Sequence, residues 1–107
     1  MPRYFDHEQL LAYQFAAEVA RWVHHDAKFP AGTASLKDQA ARAAWSVALN
    51  LAEGRAVGGS AGRHHYRVAL GSAAETCAAL DLVRVPGGAE QQEKLRRIGA
   101  MIHGLGG

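Results

Sequence analysis

The sequence predicts an all-α protein, an antiparallel up-down four-helix bundle, and three observations carry that reading. Among 107 residues, 22 are alanine and 10 leucine, against 11 valine, isoleucine and threonine together. Alanine is the best helix former, whereas the β-branched types favour strands. Apolar residues recur at three- and four-residue spacing in four stretches, the mark of helices that bury one face. Proline and glycine clusters separate those stretches at Phe29-Pro30-Ala31-Gly32, at Gly54 to Gly59, and at Pro86-Gly87-Gly88. At this length a single domain over residues 1–107 is expected, and short connections make antiparallel neighbours the default.

The first helix is expected from Asp6 to about His25. Asp6 can cap it while Gln9 reaches back, Phe5 can staple onto Leu10, and Leu11, Phe15, Val19 and Trp22 share one face. Pro30 then stops it, since proline removes a backbone donor and disfavours helix at the residue before it. The second helix is expected over about residues 34–53, starting near Ser35 with Asp38 in capping-box position. It is apolar on two sides. Leu36, Ala40, Ala43, Val47 and Leu51 make one stripe; Ala41, Trp45, Ala48, Leu49 and Ala52 make the other. A helix apolar on two sides is buried on two sides, and this chain is too short to be the centre of a large domain. Ala41, Trp45, Ala48 and Leu49 are therefore expected at a contact between copies of the chain.

A third helix, over about residues 60–83, places Tyr66, Ala69, Leu70, Ala73, Cys77 and Leu80 toward a core. Its far side shows His64, Val68, Gly71, Glu75, Ala78 and Leu82; Gly71 in mid-helix suggests a close helix approach. The fourth helix, over about residues 89–103, opens with Glu90 and Glu93 near its positive end and carries Leu95, Ile98, Met101, Ile102 and Leu105. The tail Gly104-Leu105-Gly106-Gly107 is expected to fray.

Gln39 to Gly54 reads QAARAAWSVALNLAEG, and Ala69 to Glu75 reads ALGSAAE. Together they resemble the four-helix-bundle family named for the intervening sequences of bacterial 23S ribosomal RNA genes. Gln39, Arg42, Ala43, Ser46, Asn50, Ala52, Glu53 and Gly54 fall on its first motif, and Ala69, Leu70, Gly71, Ser72 and Glu75 on its second. Ala48 stands where the family usually has proline, and Trp45 where it has a small residue. The resemblance implies a left-handed bundle in homo-oligomeric rings, pentamers in known members, without enzymatic activity and with a proposed association with RNA. Ring-forming relatives that accompany reverse transcriptases suggest an adaptor role as the alternative.

The motif residues Gln39, Arg42, Ser46, Asn50, Glu53, Gly54, Gly71, Ser72 and Glu75 read first as an internal network that sets helix register, with Gly54 as a left-handed cap. A functional cluster is the second reading. The total charge of +2 is too small to name a nucleic-acid partner, so its distribution decides. Residues 1–53 are net −1, residues 54–107 net +3, and Arg55, Arg63, His64, His65 and Arg67 form a stretch without an acid. Arg63 and Arg67 are one turn apart and can hold phosphates.

The pairs His24-His25 and His64-His65 cannot chelate one ion from a regular helix, because adjacent residues diverge by about 100°. The Glu-x-x-His signature of di-iron bundles is also missing, so neither metal nor cofactor is expected. The single cysteine, Cys77, sits on the core stripe as a packing residue, and one cysteine suits a reducing compartment. No signal-peptide core and no long apolar run appears, so a cytoplasmic protein is expected. The expected function is a non-enzymatic homo-oligomer, pentameric by the resemblance, with a basic rim for RNA or another nucleic acid. The alternative is a scaffold or adaptor that binds a nucleic-acid-processing enzyme.

Overall fold

Helix-favouring composition and the three breaks produce four helices: α1 (Leu11–His25), α2 (Ala34–Val57), α3 (Gly59–Val83) and α4 (Gly88–Gly104). The computed structural model describes residues 5–106; residues 1–4 and 107, which belong to the expected domain and to the glycine tail, lie outside the described residues. Among the described residues there is no strand. Helix α2 packs on α1 and α3, and α4 on α3 and α1, consistent with a four-helix bundle of 44 × 30 × 20 Å.

The first helix starts later than its sequence suggests. Asp6–Gln9 form one separate 3-10 turn, closed when the Phe5 backbone N–H donates to Glu8 Oε1 at 3.0 Å. Glu8 thus does what Gln9 was expected to do, and Leu10 turns extended (φ −83°, ψ 117°) before α1 begins. Phe5 is 75% exposed and stacks on His7 instead of stapling onto Leu10.

The buried line of α1 keeps Val19 as expected but is otherwise shifted by one residue. Ala12, Ala16, Val19, Ala20 and Val23 face the core, whereas Leu11 is exposed and Phe15 and Trp22 are half-buried. Alanines let the helices approach closely, which pushes the large side chains to the rim. There Phe15 lies under the Arg97 guanidinium, 5.6 Å from the ring centre, and Trp22 covers Gly87.

No side-chain hydrogen bond caps the N-terminus of α2, so the expected Ser35–Asp38 box is not formed. The Thr33 hydroxyl instead turns back to the Pro30 carbonyl at 2.6 Å. At its other end α2 runs straight through Gly54 and Arg55 and stops only at Gly58, which has φ +64°. Gly54 is helical and buried, not a left-handed cap. A Cβ on Gly54 would lie 2.6 Å from the Tyr66 ring and 2.9 Å from the Gly62 carbonyl oxygen; one on Gly62 would lie 2.6 Å from the Gly54 oxygen. This is where α2 and α3 press together.

Gly71 has the opposite surroundings from those its position suggested: it is exposed, and a Cβ there would meet nothing within 4 Å. The buried side of α3 is Gly62, Tyr66, Ala69, Ala73, Thr76, Ala79 and Leu80, with Leu70 and Cys77 half-buried against it. Helix α4 buries Leu95, Ile98 and Ile102, with Met101 and Leu105 partly covered, as the spacing predicts.

Candidate functional site

Three surfaces meet on α2. The first, toward α3, is a polar ladder. Asn50 Nδ2 donates to the Ser46 carbonyl at 2.9 Å and to Ser46 Oγ at 3.1 Å. A carbonyl can only accept, which fixes the amide orientation and leaves Asn50 Oδ1 facing His65 Nδ1 at 3.0 Å; that ring nitrogen therefore carries the proton and donates. Ser72 Oγ donates to Ser46 Oγ at 2.8 Å, and the fully buried Thr76 hydroxyl to the Ser72 carbonyl at 2.8 Å. The other nitrogen of His65, Nε2, lies 3.5 Å from Glu53 Oε2.

Sequence reasoning placed His65 in the basic stretch, whereas the structure puts it in this ladder, half-buried between Asn50 and Glu53. Thr76 was missed, although its position four residues after Ser72 is the spacing for a hydroxyl that bonds back along a helix. Gln39, Arg42 and Glu75 stay outside. They are exposed and line a depression of about 370 Å³ beside Ser46 and Ser72, with no ion pair between Arg42 and Glu75 among the described residues.

The second surface is the corner where α2 passes into α3. Arg55, Arg63, His64 and Arg67 are all exposed there, and none has an ion-pair partner among the described residues. The corner itself is held by backbone bonds, Gly58 N–H to the Gly54 carbonyl at 3.0 Å and Gly62 N–H to the Gly58 carbonyl at 2.9 Å. The cations thus sit on a fixed bend rather than on a long glycine loop.

The third surface is a groove of about 480 Å³ between α1 and α2, lined among others by Tyr13, Arg21, His24, Trp45 and Leu49. Trp45 and Leu49 are 54% and 62% exposed, Ala48 is buried, and Ala41 is half-buried. His24 Nε2 donates to the Ala41 carbonyl at 2.8 Å, and its ring stacks on Trp45 with centroids 3.8 Å apart. The expected contact residues therefore divide: Trp45 and Leu49 stand open, while Ala41 and Ala48 hold α1 against α2. Nothing in the linear sequence links His24 to Trp45, so the groove's second wall could not be read from it.

Residues 8–104 match the family described as 23S rRNA-intervening sequence protein. The chain belongs to that family. No curated protein and no solved structure matches it. In this 23S rRNA-intervening sequence protein six of the thirteen motif residues build one helix contact. Ser46, Asn50 and Ser72 form the ladder, Gly54 forms the close approach, and Ala43 and Ala69 are buried beside them. Among the described residues, no three His, Cys, Asp or Glu side chains come together in a way that could hold a metal ion, and no helix is long and apolar enough to cross a membrane. Cys77 is half-buried against the core, and its carbonyl accepts from Gln92 Nε2 at 3.2 Å.

Proposed function

We propose that this family member is a non-enzymatic bundle, its helices alternating up and down, that closes into a cytoplasmic homo-oligomeric ring of five subunits with a rim that binds RNA. The alternation is supported by the α2–α3 contacts, which pair Ser46 with Ser72, Asn50 with His65 and Gly54 with Gly62, one number rising as the other falls. The number five and the lack of catalysis rest on the family resemblance. The cytoplasmic location rests on the lone cysteine.

The observation that carries self-assembly is the exposure of Trp45 and Leu49, large apolar side chains on a helix that packs on α1 and α3 with other apolar residues. RNA binding is supported by the unpaired cations Arg55, Arg63 and Arg67 with His64 at one corner, repeated once per subunit around a ring. Light scattering with chromatography is expected to give a closed oligomer, and Trp45→Asp to dissociate it, because an unpaired charge in a desolvated contact is strongly unfavourable. In filter binding, Arg63→Glu with Arg67→Glu is expected to abolish RNA affinity while mass and helicity stay unchanged. Wild-type affinity should fall steeply with salt, by roughly one unit of slope per phosphate neutralised. A wild type with no affinity at low salt would move the reading to a protein-binding scaffold, for which the open groove is the docking surface.

A further inference from the structure

Two exposed apolar surfaces of the subunit have no role within it. One is the α1–α2 groove with Trp45 and Leu49. The other is the outer stripe of α3, where Val68, Gly71, Glu75, Ala78 and Leu82 follow each other at three- and four-residue spacing; Leu82 is 73% and Val68 38% exposed. Pairing groove to groove would close at two subunits and leave the α3 stripe bare. A ring built on one kind of contact needs two different patches on each subunit, each matched to the other.

Charge distinguishes the two patches in the way such a match requires. The groove lining holds Arg21 and no acid. The α3 stripe holds one exposed acid, Glu75, and neither lysine nor arginine; Asp81 lies off it, beside Arg84 and the start of α4. Arg21 and Glu75 have no ion-pair partner among the described residues. Gly71 adds an independent sign. Glycine weakens a helix interior, and inside the subunit no neighbour uses the space it leaves. A surface without a Cβ gives a partner's aromatic ring direct access to the backbone.

We propose that the outer face of α3 from a second copy of this chain docks head-to-tail in the α1–α2 groove, setting Glu75 of α3 against Arg21. This rests on the self-assembly reading above and adds which surfaces meet. Trp45→Asp kills the groove and keeps the α3 face; Leu82→Asp kills the α3 face and keeps the groove. Both side chains are exposed, so both variants should keep wild-type helicity by circular dichroism, with Leu49→Asp as the substitute should Trp45→Asp misfold.

Each variant alone should run as a single subunit in light scattering, and an equimolar mixture should form a dimer of one of each, with no larger species. Arg21→Glu should weaken wild-type assembly, and adding Glu75→Arg to the same chain should restore it. A mixture that stays monomeric, or a Leu82→Asp variant that keeps the wild-type mass, overturns head-to-tail docking while self-assembly through the groove stands. A strictly monomeric wild type overturns both.

Discussion

The two sides of α2 handle polarity in opposite ways. Toward α3 its serine and asparagine are turned inward and bonded to His65 and Ser72, and the backbone closes to a glycine contact at Gly54 and Gly62. Away from α3, beside α1, the large apolar Trp45 and Leu49 face outward. Burial of apolar area is the main favourable term and each buried polar group must be matched by a bond; the α3 side meets the second demand, and the other side leaves apolar area unburied. The sealed side therefore fixes register within the subunit, and the open side is the surface on which the proposed contact between copies rests.

The strongest way to break this contrast is at the glycine contact. Gly62→Ala puts a Cβ 2.6 Å from a backbone oxygen of α2, and backbone cannot rotate away as the end of a side chain can. The helix propensity gained is up to about 1 kcal/mol. Overpacking costs about 1–3 kcal/mol, and separating two helix backbones lies at the upper end of that range. Net destabilisation of about 1–2 kcal/mol is expected from denaturant unfolding. Unchanged or raised stability would mean that the two helices have slack at the corner.

The ladder gives the next largest effect. Asn50→Ala removes the acceptor for His65 Nδ1 and the donor to Ser46, leaving half-buried polar groups partly unmatched. A loss of about 1–2 kcal/mol is expected. On the open side of the same helix, Leu49→Ala in a monomeric background such as Trp45→Asp should change subunit stability by no more than about 0.5 kcal/mol, because the side chain is 62% exposed. Equal effects from the two variants in urea melts would erase the distinction between the sides.

Some of this was legible in the sequence and some was not, for identifiable reasons. Helix α4 could be read because its core face is made of large aliphatics, Leu95, Ile98 and Ile102, on one line. The face of α1, Val19 apart, was misplaced because most of its core is alanine, which gives little hydrophobic signal beside Leu11, Phe15 and Trp22. The motif residues pointed to α2 and α3, yet the ladder's fourth partner, His65, was hidden among arginines whose charge dominates that stretch. The glycines show the limit most clearly. Gly54, Gly62 and Gly71 are all helical. Only tertiary contact separates the two that a methyl group cannot replace from the one that it can.

Gly71 supplies the finest test of the comparison. In the subunit its position is open, so Gly71→Ala adds a methyl group that touches nothing while it removes the backbone freedom that glycine has in the unfolded chain. Measured in the Trp45→Asp background, where assembly does not contribute, the change should stabilise by about 0.5–1 kcal/mol. Near this chain length that corresponds to a rise in Tm of about 2–4 °C. With an intact groove the same methyl group stands on the face of α3 proposed to meet the next copy, and assembly should then weaken even as the isolated subunit becomes more stable. A gain in both backgrounds would place Gly71 on free surface and confine the contact between copies to Val68 and Leu82. A loss in the monomeric background would show a constraint at Gly71 inside the subunit and remove the contrast with Gly54 and Gly62.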